Sequence, residues 1–179
     1  SIMGLVKPDS GRVVLDGVEI TTLPMYRRAV MGLGYLPQET SIFRGMTVAQ
    51  NIMSVLELAV PDKDARVARL DQLLGEFHLD GLSGRTRPAL AADPSIMLLD
   101  EPFAGIDPIS ISDIRALIIQ LKSRGIGVLI TDHNVRETLD ICDRACIIYD
   151  GRVLFAGTPQ ALVADENVRR LYLGESFSL

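Results

Sequence analysis

The chain has 179 residues, of which 47% are apolar and 23% charged, and its net charge is −5. These values are typical of a globular domain with a buried core and exclude a disordered chain or a small disulfide-stabilised scaffold. The acidic balance provides no positive field for nucleic acid, so we expect no nucleic-acid partner. No apolar run reaches the roughly 18 residues that cross a bilayer, and no secretory signal opens the sequence.

The first part of the sequence predicts a hairpin, a short helix and a buried strand. Two short apolar runs flank Asp16-Gly17, which predicts antiparallel strands joined by a tight turn. A short helix is predicted over residues 24–30 and a buried strand over 33–36, ended by Pro37 because proline cannot extend a central ladder. Gln38 therefore follows a strand end. Residues 1–5 are typical of the end of a helix, so we expect a segment before Ser1.

Two helices are predicted next, and they form a helical subdomain over about residues 40–90 of a single domain, 1–179. Thr47 and Gln50 have capping-box spacing at the start of one helix. Asp62 precedes apolar residues at helical intervals as far as Phe77. His78 follows without a partner motif, and we predict a structural role for it.

Beyond residue 95, short apolar strands alternate with helices, which is typical of a parallel sheet covered on both faces. The strands are predicted over 96–99, 127–130 and 145–148, with helices over about 110–123 and 134–141 between them. A turn at 150–151, a strand over 152–155 and a helical tail from 158 complete the chain. Cys142 and Cys146 lack metal-ligand spacing, and we predict buried or inert thiols rather than a redox pair.

Polar residues follow the first two of these strands, at the edge where open α/β sheets bind ligands. Asp100 and Glu101 end the first strand in the form of a Walker B motif. Phosphoryl transfer from ATP needs a carboxylate near Mg²⁺ and a group that orients or deprotonates water. Asp100 suits the first role and Glu101 the second. A buried strand that ends in a solvated acidic turn is the alternative.

Four further residues offer groups that suit a nucleotide. His133 follows another apolar strand and can hydrogen-bond a γ-phosphate or position water. Gln38 can offer its amide oxygen to Mg²⁺ or to water, although in isolation it is an ordinary loop residue. Ser83 and Gly84 can offer a hydroxyl and backbone N–H groups to phosphate, in a short pattern that also occurs by chance.

In order and spacing, these residues resemble the ATP-binding subunits of ABC transporters. The resemblance implies an α/β fold with a RecA-like P-loop NTPase core, a small antiparallel β portion and a helical subdomain. It implies ATP and Mg²⁺ as cofactors. It also implies a role for each polar residue. Gln38 would be the Q-loop residue, Asp100 the Walker B aspartate and Glu101 the catalytic glutamate. Asp107 would belong to the D-loop, His133 would be the switch histidine, and Ser83 and Gly84 would belong to the family signature.

The resemblance also implies partners and a location. Two copies of the chain would sandwich two ATP molecules on transmembrane permease subunits, at the cytoplasmic face of the inner membrane. Residues 34–44, 100–110 and 130–139 are most similar to lipopolysaccharide-export ATPases of Gram-negative bacteria, with branched-chain amino acid importer ATPases as the alternative. The transported lipid would contact the permease and not this chain. Residues 40–44 are the candidate surface for docking a permease helix, although Phe43 suits a core position equally well.

The sequence departs from the family pattern in two places. The phosphate-binding loop, Gly-x-x-x-x-Gly-Lys-Ser/Thr, does not occur in these 179 residues, and we expect it upstream of Ser1. Leu82-Ser83-Gly84 is followed by residues 85–88 rather than by a long basic helix, so more than a dozen residues of the pattern are missing there. Since the phosphate-binding loop makes most of the nucleotide contacts, we expect these 179 residues to bind ATP weakly at best. The alternative to an ATP-hydrolysing subunit is a fragment that does not hydrolyse ATP.

Overall fold

The computed structural model describes residues 2–38, 46–76, 93–174 and 177. The chain divides into two compact units, Ser1–Thr131 and Asp132–Leu179. The first unit contains β1 (Val14–Leu15), β2 (Val18–Glu19), α1 (Met25–Val30), β3 (Leu33–Leu36), α2 (Val48–Ala59), α3 (Lys63–Glu76), β4 (Ile96–Asp100), α4 (Pro108–Ser123) and β5 (Gly127–Thr131). The second contains α5 (Val135–Leu139), β6 (Ala145–Tyr149), β7 (Arg152–Gly157), α6 (Pro159–Ala164), α7 (Glu166–Val168) and a π-helical turn (Arg169–Leu173).

The predicted hairpin near the start of the chain is confirmed. Strands β1 and β2 pair antiparallel around Asp16 and Gly17, whose φ angles of 48° and 80° are those that a tight two-residue turn requires. Residues 2–6 form turns and bends. Gly4 has a φ of 80°, the left-handed conformation in which helices commonly end, and the helix end expected here stays a prediction.

A three-stranded parallel sheet in the order β3-β4-β5 forms the centre of the first unit. Leu36 pairs with Leu99, and Asp100 pairs with Thr131, so the three strands end at the same edge. The central strand β4 is largely buried, whereas β5 alternates between exposed and half-buried residues. The prediction that every strand of this sheet is covered on both faces is therefore wrong for β5 within the described residues.

The helices of the first unit begin and pack as the apolar spacing predicts. The Thr47 hydroxyl accepts from the Gln50 backbone N–H, and the Gln50 side chain accepts from the Thr47 N–H, which confirms the capping box of α2. Helix α2 packs on α3, where Ile52, Leu56 and Leu73 are fully buried. Phe77 and His78 lie outside the described residues.

The second unit contains a hairpin where a further parallel strand was predicted. Strand β6 pairs antiparallel with β7. Asp150 and Gly151 cause this arrangement, because their φ angles of 48° and 71° reverse the chain within two residues. The unit has its own apolar core, formed by Leu139, Ile147, Leu162 and Val168.

Two further observations bear on the sequence analysis. Cys142 is half-buried and Cys146 is exposed, and both are free thiols. Burial, the first form of the prediction, is therefore wrong for Cys146, while the alternative of an inert thiol stays a prediction. Among the described residues, no helix combines the length and apolarity needed to cross a membrane.

Candidate functional site

The carboxyl ends of β3, β4 and β5 bring together three of the predicted site residues. Gln38 follows β3, while Asp100 and Glu101 stand at the end of β4. Parallel strands in register end at a common edge, so the Gln38 side chain contacts that of Glu101 although the two residues are 63 positions apart in the sequence. The site thus lies where open α/β sheets bind their ligands.

The Asp100 carboxylate accepts a hydrogen bond at each of its two oxygens. The Thr131 hydroxyl donates to Oδ1 over 2.6 Å, and the Tyr35 hydroxyl donates to Oδ2 over 3.1 Å. Burial of the phenol raises the pKa of Tyr35 above its ordinary value of 10.0, and the hydrogen bond to Asp100 and the negative charge of Asp100 raise it further. Tyr35 therefore remains a neutral donor at physiological pH.

Glu101 is held by both its backbone and its side chain. Its N–H donates to the Thr131 carbonyl over 2.7 Å, and its carbonyl accepts from the Ala104 N–H over 3.2 Å. The Gln38 amide nitrogen, Nε2, donates to Oε2 of the Glu101 carboxylate over 2.8 Å. The φ angle of Glu101 is 47°, in the left-handed region that few residues other than glycine adopt. Such strained positions cluster at functional sites.

The oxygen donors at this edge fit magnesium better than a metal held by protein ligands alone. Among the described residues there is no group of three or more histidine, cysteine, aspartate or glutamate side chains that could hold a metal ion. Magnesium commonly binds proteins through one or two carboxylates, with phosphates and water completing its octahedral shell. Asp100, with the amide oxygen of Gln38, matches that requirement.

The remaining predicted site residues are placed differently. His133 lies in the second unit, with a side chain that is 72% exposed and an Nδ1 that is 3.8 Å from Oδ1 of the buried Asp132 carboxylate. The Asp107 carboxylate accepts from the backbone N–H and the hydroxyl of Ser110, over 3.1 and 2.8 Å. Asp107 therefore caps the first turn of α4. Ser83, Gly84 and residues 40–44 lie outside the described residues.

Sequence reasoning missed two residues that contact the site. Tyr35 lies within a predicted strand and Thr131 directly follows one, and neither position carries a motif that marks it. A register argument could have found both. Tyr35 pairs with Leu98, two residues before Asp100 on the same face, and Thr131 pairs with Asp100 itself. Residues two apart in a strand share a face.

A parallel sheet with paired carboxylates at its carboxyl edge is the arrangement of a nucleotide-binding α/β domain. The family model described as ABC transporter matches residues 1–104. A probable ABC transporter ATP-binding protein of Azorhizobium caulinodans is 56% identical, over 99% of this chain and 68% of that protein. This chain belongs to the ABC transporter ATP-binding family.

Two relatives are named as lipopolysaccharide export system ATP-binding proteins, LptB. The protein from Haemophilus influenzae is 50% identical and the one from Acidithiobacillus ferridurans is 53% identical, each over 99% of this chain and 80% of the relative. The match to the first of them spans 193 residues, against 179 in this chain. More than a dozen positions of that relative therefore have no counterpart here, which agrees with the internal gap expected from the sequence.

Solved structures support the fold. The structure of cbiO1 from Clostridium perfringens, part of the ABC transporter complex cbiONQ, aligns with a TM-score of 0.78 and 26% identity, over 94% of this chain and 74% of that one. An ATP-binding cassette of an ABC transporter, MJ1267 in its ADP conformation, aligns with a TM-score of 0.79 over 97% of this chain and 81% of that one. At 22% identity, this second match shows the fold alone.

Proposed function

We propose that this chain is the ATP-hydrolysing subunit that powers lipopolysaccharide export from the inner membrane. The observation that carries the proposal is the similarity to proteins named LptB, at 46–53% identity over 99% of the chain. Two relatives of higher identity, 56% and 55%, bear only general ABC transporter names, so the cargo is tested separately from the ATPase activity. The cargo itself would contact the membrane subunits.

The geometry of the first unit supports different roles for Asp100 and Glu101. Asp100, fixed at both oxygens, would hold Mg²⁺ with its outward lone pairs. Glu101, oriented by Gln38, would accept a proton from the attacking water. Bound Mg²⁺ would neutralise charge on the β- and γ-phosphates of ATP. Gln38 contacts the candidate base and precedes the predicted docking segment 40–44, so it would couple the site to the permease.

Other parts of the proposal come from the family pattern. His133 would hydrogen-bond the γ-phosphate, and its exposed imidazole is accessible for that contact. Ser83 and Gly84 of a second copy would complete each ATP site, in a homodimer on the cytoplasmic face of the membrane. ABC ATPase subunits work with transmembrane permease partners, and we propose that lipid-export permeases are the partners of this one.

A nucleotide titration tests the enzymatic part. Binding of Mg²⁺ and ATP would be measured for the 179-residue chain and for the same chain preceded by a segment that supplies a phosphate-binding loop. We expect tight binding and hydrolysis in the second form, because that loop surrounds the phosphates with backbone N–H groups. Binding by neither form would contradict the proposed activity, and binding without turnover would favour the non-hydrolysing alternative.

Co-purification tests the cargo. The chain would be expressed with lipid-export permease subunits in one experiment and with branched-chain amino acid permease subunits in another, and the membranes would be solubilised in detergent. We expect a stable complex, and ATP hydrolysis that depends on it, with the lipid-export subunits only. Recovery with the amino acid permease instead would replace the proposed cargo while leaving the ATPase assignment intact.

A further inference from the structure

Three strands each contribute one side chain to a contact centred on the Asp100 carboxylate. Thr131 on β5 pairs directly with Asp100. Tyr35 on β3 pairs with the residue two positions before Asp100, and therefore lies on the same face of the sheet. A phenol is long enough to reach a diagonal neighbour across adjacent strands. The two donors therefore approach the carboxylate from opposite sides, one from each neighbouring strand.

The Thr131 hydroxyl donates its proton to Asp100 rather than to the Leu99 carbonyl. A threonine hydroxyl has one proton to donate, and the distance from its Oγ1 is 2.6 Å to Oδ1 of Asp100 but 3.5 Å to the Leu99 carbonyl. The shorter distance lies in the range of charge-assisted bonds between a hydroxyl and a carboxylate. With one donor on each oxygen, rotation of the carboxylate about its last side-chain bond breaks at least one hydrogen bond.

Thr131 also contacts the second acidic residue, through its backbone. Its carbonyl accepts the 2.7 Å hydrogen bond from the Glu101 N–H, at the point where Glu101 adopts its left-handed conformation. One residue at the end of β5 therefore orients the side chain of Asp100 and the backbone of Glu101. A residue with only a packing role would need neither contact.

We infer that Thr131 and Tyr35 are positioning residues that hold the Asp100 carboxylate by both oxygens and so set the orientation in which it meets the magnesium ion. The inference rests on the proposed function, because it takes Asp100 as the metal-binding carboxylate. Partners that orient a metal-binding group typically change metal affinity or activity by about 10- to 100-fold when they are removed. We expect each substitution that removes one of the two donors to Asp100 to lower the Mg²⁺ affinity by about 10- to 100-fold.

The test measures the free Mg²⁺ concentration that gives half-maximal binding of a fluorescent ATP analogue. It uses whichever form of the chain binds Mg²⁺ and ATP in the titration above. We expect Thr131→Val and Tyr35→Phe each to raise that concentration by about tenfold or more. Thr131→Ser, which keeps the hydroxyl, should restore a value close to that of the unsubstituted chain. Thermal unfolding of each variant establishes that it is folded.

Two further variants separate positioning from a merely structural role. In an Asp100→Asn background, Thr131→Val should change the Mg²⁺ dependence no further, because both substitutions act through one carboxylate. Thr22→Val, at an exposed threonine outside the site, should leave the Mg²⁺ dependence unchanged.

The outcomes distinguish this inference from the proposed function. An unchanged Mg²⁺ dependence in Thr131→Val and Tyr35→Phe, with normal nucleotide binding, would overturn the inference alone. A valine variant that is as impaired as expected but is not rescued by Thr131→Ser would also overturn it. Absence of nucleotide binding in every form would contradict the proposed function, and the inference with it.

Discussion

The Gln38 amide nitrogen lies 2.8 Å from Oε2 of Glu101, so the segment after β3 is tied to the segment after β4. The two residues are 63 positions apart in the sequence, and only the parallel pairing of β3 with β4 brings them together. A displacement of Gln38 would remove a donor from the carboxylate proposed to accept a proton. Binding at the segment that follows Gln38 can therefore influence the orientation of the candidate base.

Replacing Glu101 by glutamine tests the proposed proton acceptor. Glu101→Gln keeps the size of the side chain but removes its ability to accept a proton, so we expect ATP binding to persist and turnover to fall by about 10²- to 10⁴-fold. Hydrolysis and nucleotide affinity would be measured on the ATP-binding form of the chain. Glu19→Gln, at an exposed position on β2, is the matched control. Normal turnover by Glu101→Gln would remove this residue from the mechanism.

His133→Ala distinguishes a γ-phosphate contact from a structural role. The imidazole is 72% exposed, and its Nδ1 lies 3.8 Å from the Asp132 carboxylate, so its loss should change the melting temperature little. We expect hydrolysis to fall while the domain stays folded. His78→Ala, at the other histidine of the chain, should leave turnover per folded molecule unchanged. A large drop in melting temperature for His133→Ala would instead support a structural histidine.

The sequence predicted the local elements of the fold well, because their signals are local. Pro37 after an apolar run marks the end of β3, and the spacing of Thr47 and Gln50 marks the start of α2. Strand pairing is not a local property. The apolar run over 145–149 has the composition of a buried parallel strand, but the tight turn at Asp150-Gly151 pairs it with β7 instead.

The candidate site was predictable only in part, for a related reason. Asp100 and Glu101 were found because their motif is contiguous. The partners of Asp100 come from other strands, and Thr131 and Tyr35 acquire their roles only through the register of the sheet. The family resemblance assigns Asp107 to the D-loop, and in the structure its carboxylate caps the first turn of α4, a local role consistent with its place directly before Pro108.

The raised pKa of Tyr35 predicts a loss of stability at alkaline pH. A raised pKa in the folded state means that folding favours the neutral phenol, so its contribution is fully present below pH 10.0. This contribution is lost as the pH rises through the higher value of the folded state. Denaturant unfolding at a series of pH values should show that the free energy of unfolding falls at alkaline pH, and Tyr35→Phe should reduce this fall.

Tyr26→Phe provides the control for this alkaline loss, because that tyrosine is 65% exposed. The loss should persist in the control variant. Absorbance titration of tyrosinate should also show that Tyr35→Phe removes a step with a midpoint above 10.0. Identical alkaline unfolding of the two variants would contradict a stabilising bond between Tyr35 and Asp100.

Arg28 should be essential to the stability of the first unit. Its side chain is buried in α1, and the guanidinium donates to the carbonyls of Ile2, Thr21 and Leu23. A buried carbonyl left without its donor costs about 1–3 kcal/mol, and these three hydrogen bonds of Arg28 are partly buried. Leucine at this position would avoid the desolvation of a charge, which offsets part of that loss. We therefore expect Arg28→Leu to lower the free energy of unfolding by about 2–3 kcal/mol.

Denaturant unfolding of the 179-residue chain measures the free energy of unfolding of Arg28→Leu. The control variant is Arg27→Leu, which changes the neighbouring, exposed arginine of the same helix. The control should unfold close to the unsubstituted chain, because exposed substitutions typically change stability by less than about 0.5 kcal/mol. Arg28→Lys keeps the charge but loses the planar fork that reaches three carbonyls at once, so it should also destabilise the chain. Equal midpoints for Arg28→Leu and Arg27→Leu would show that these hydrogen bonds contribute no net stability.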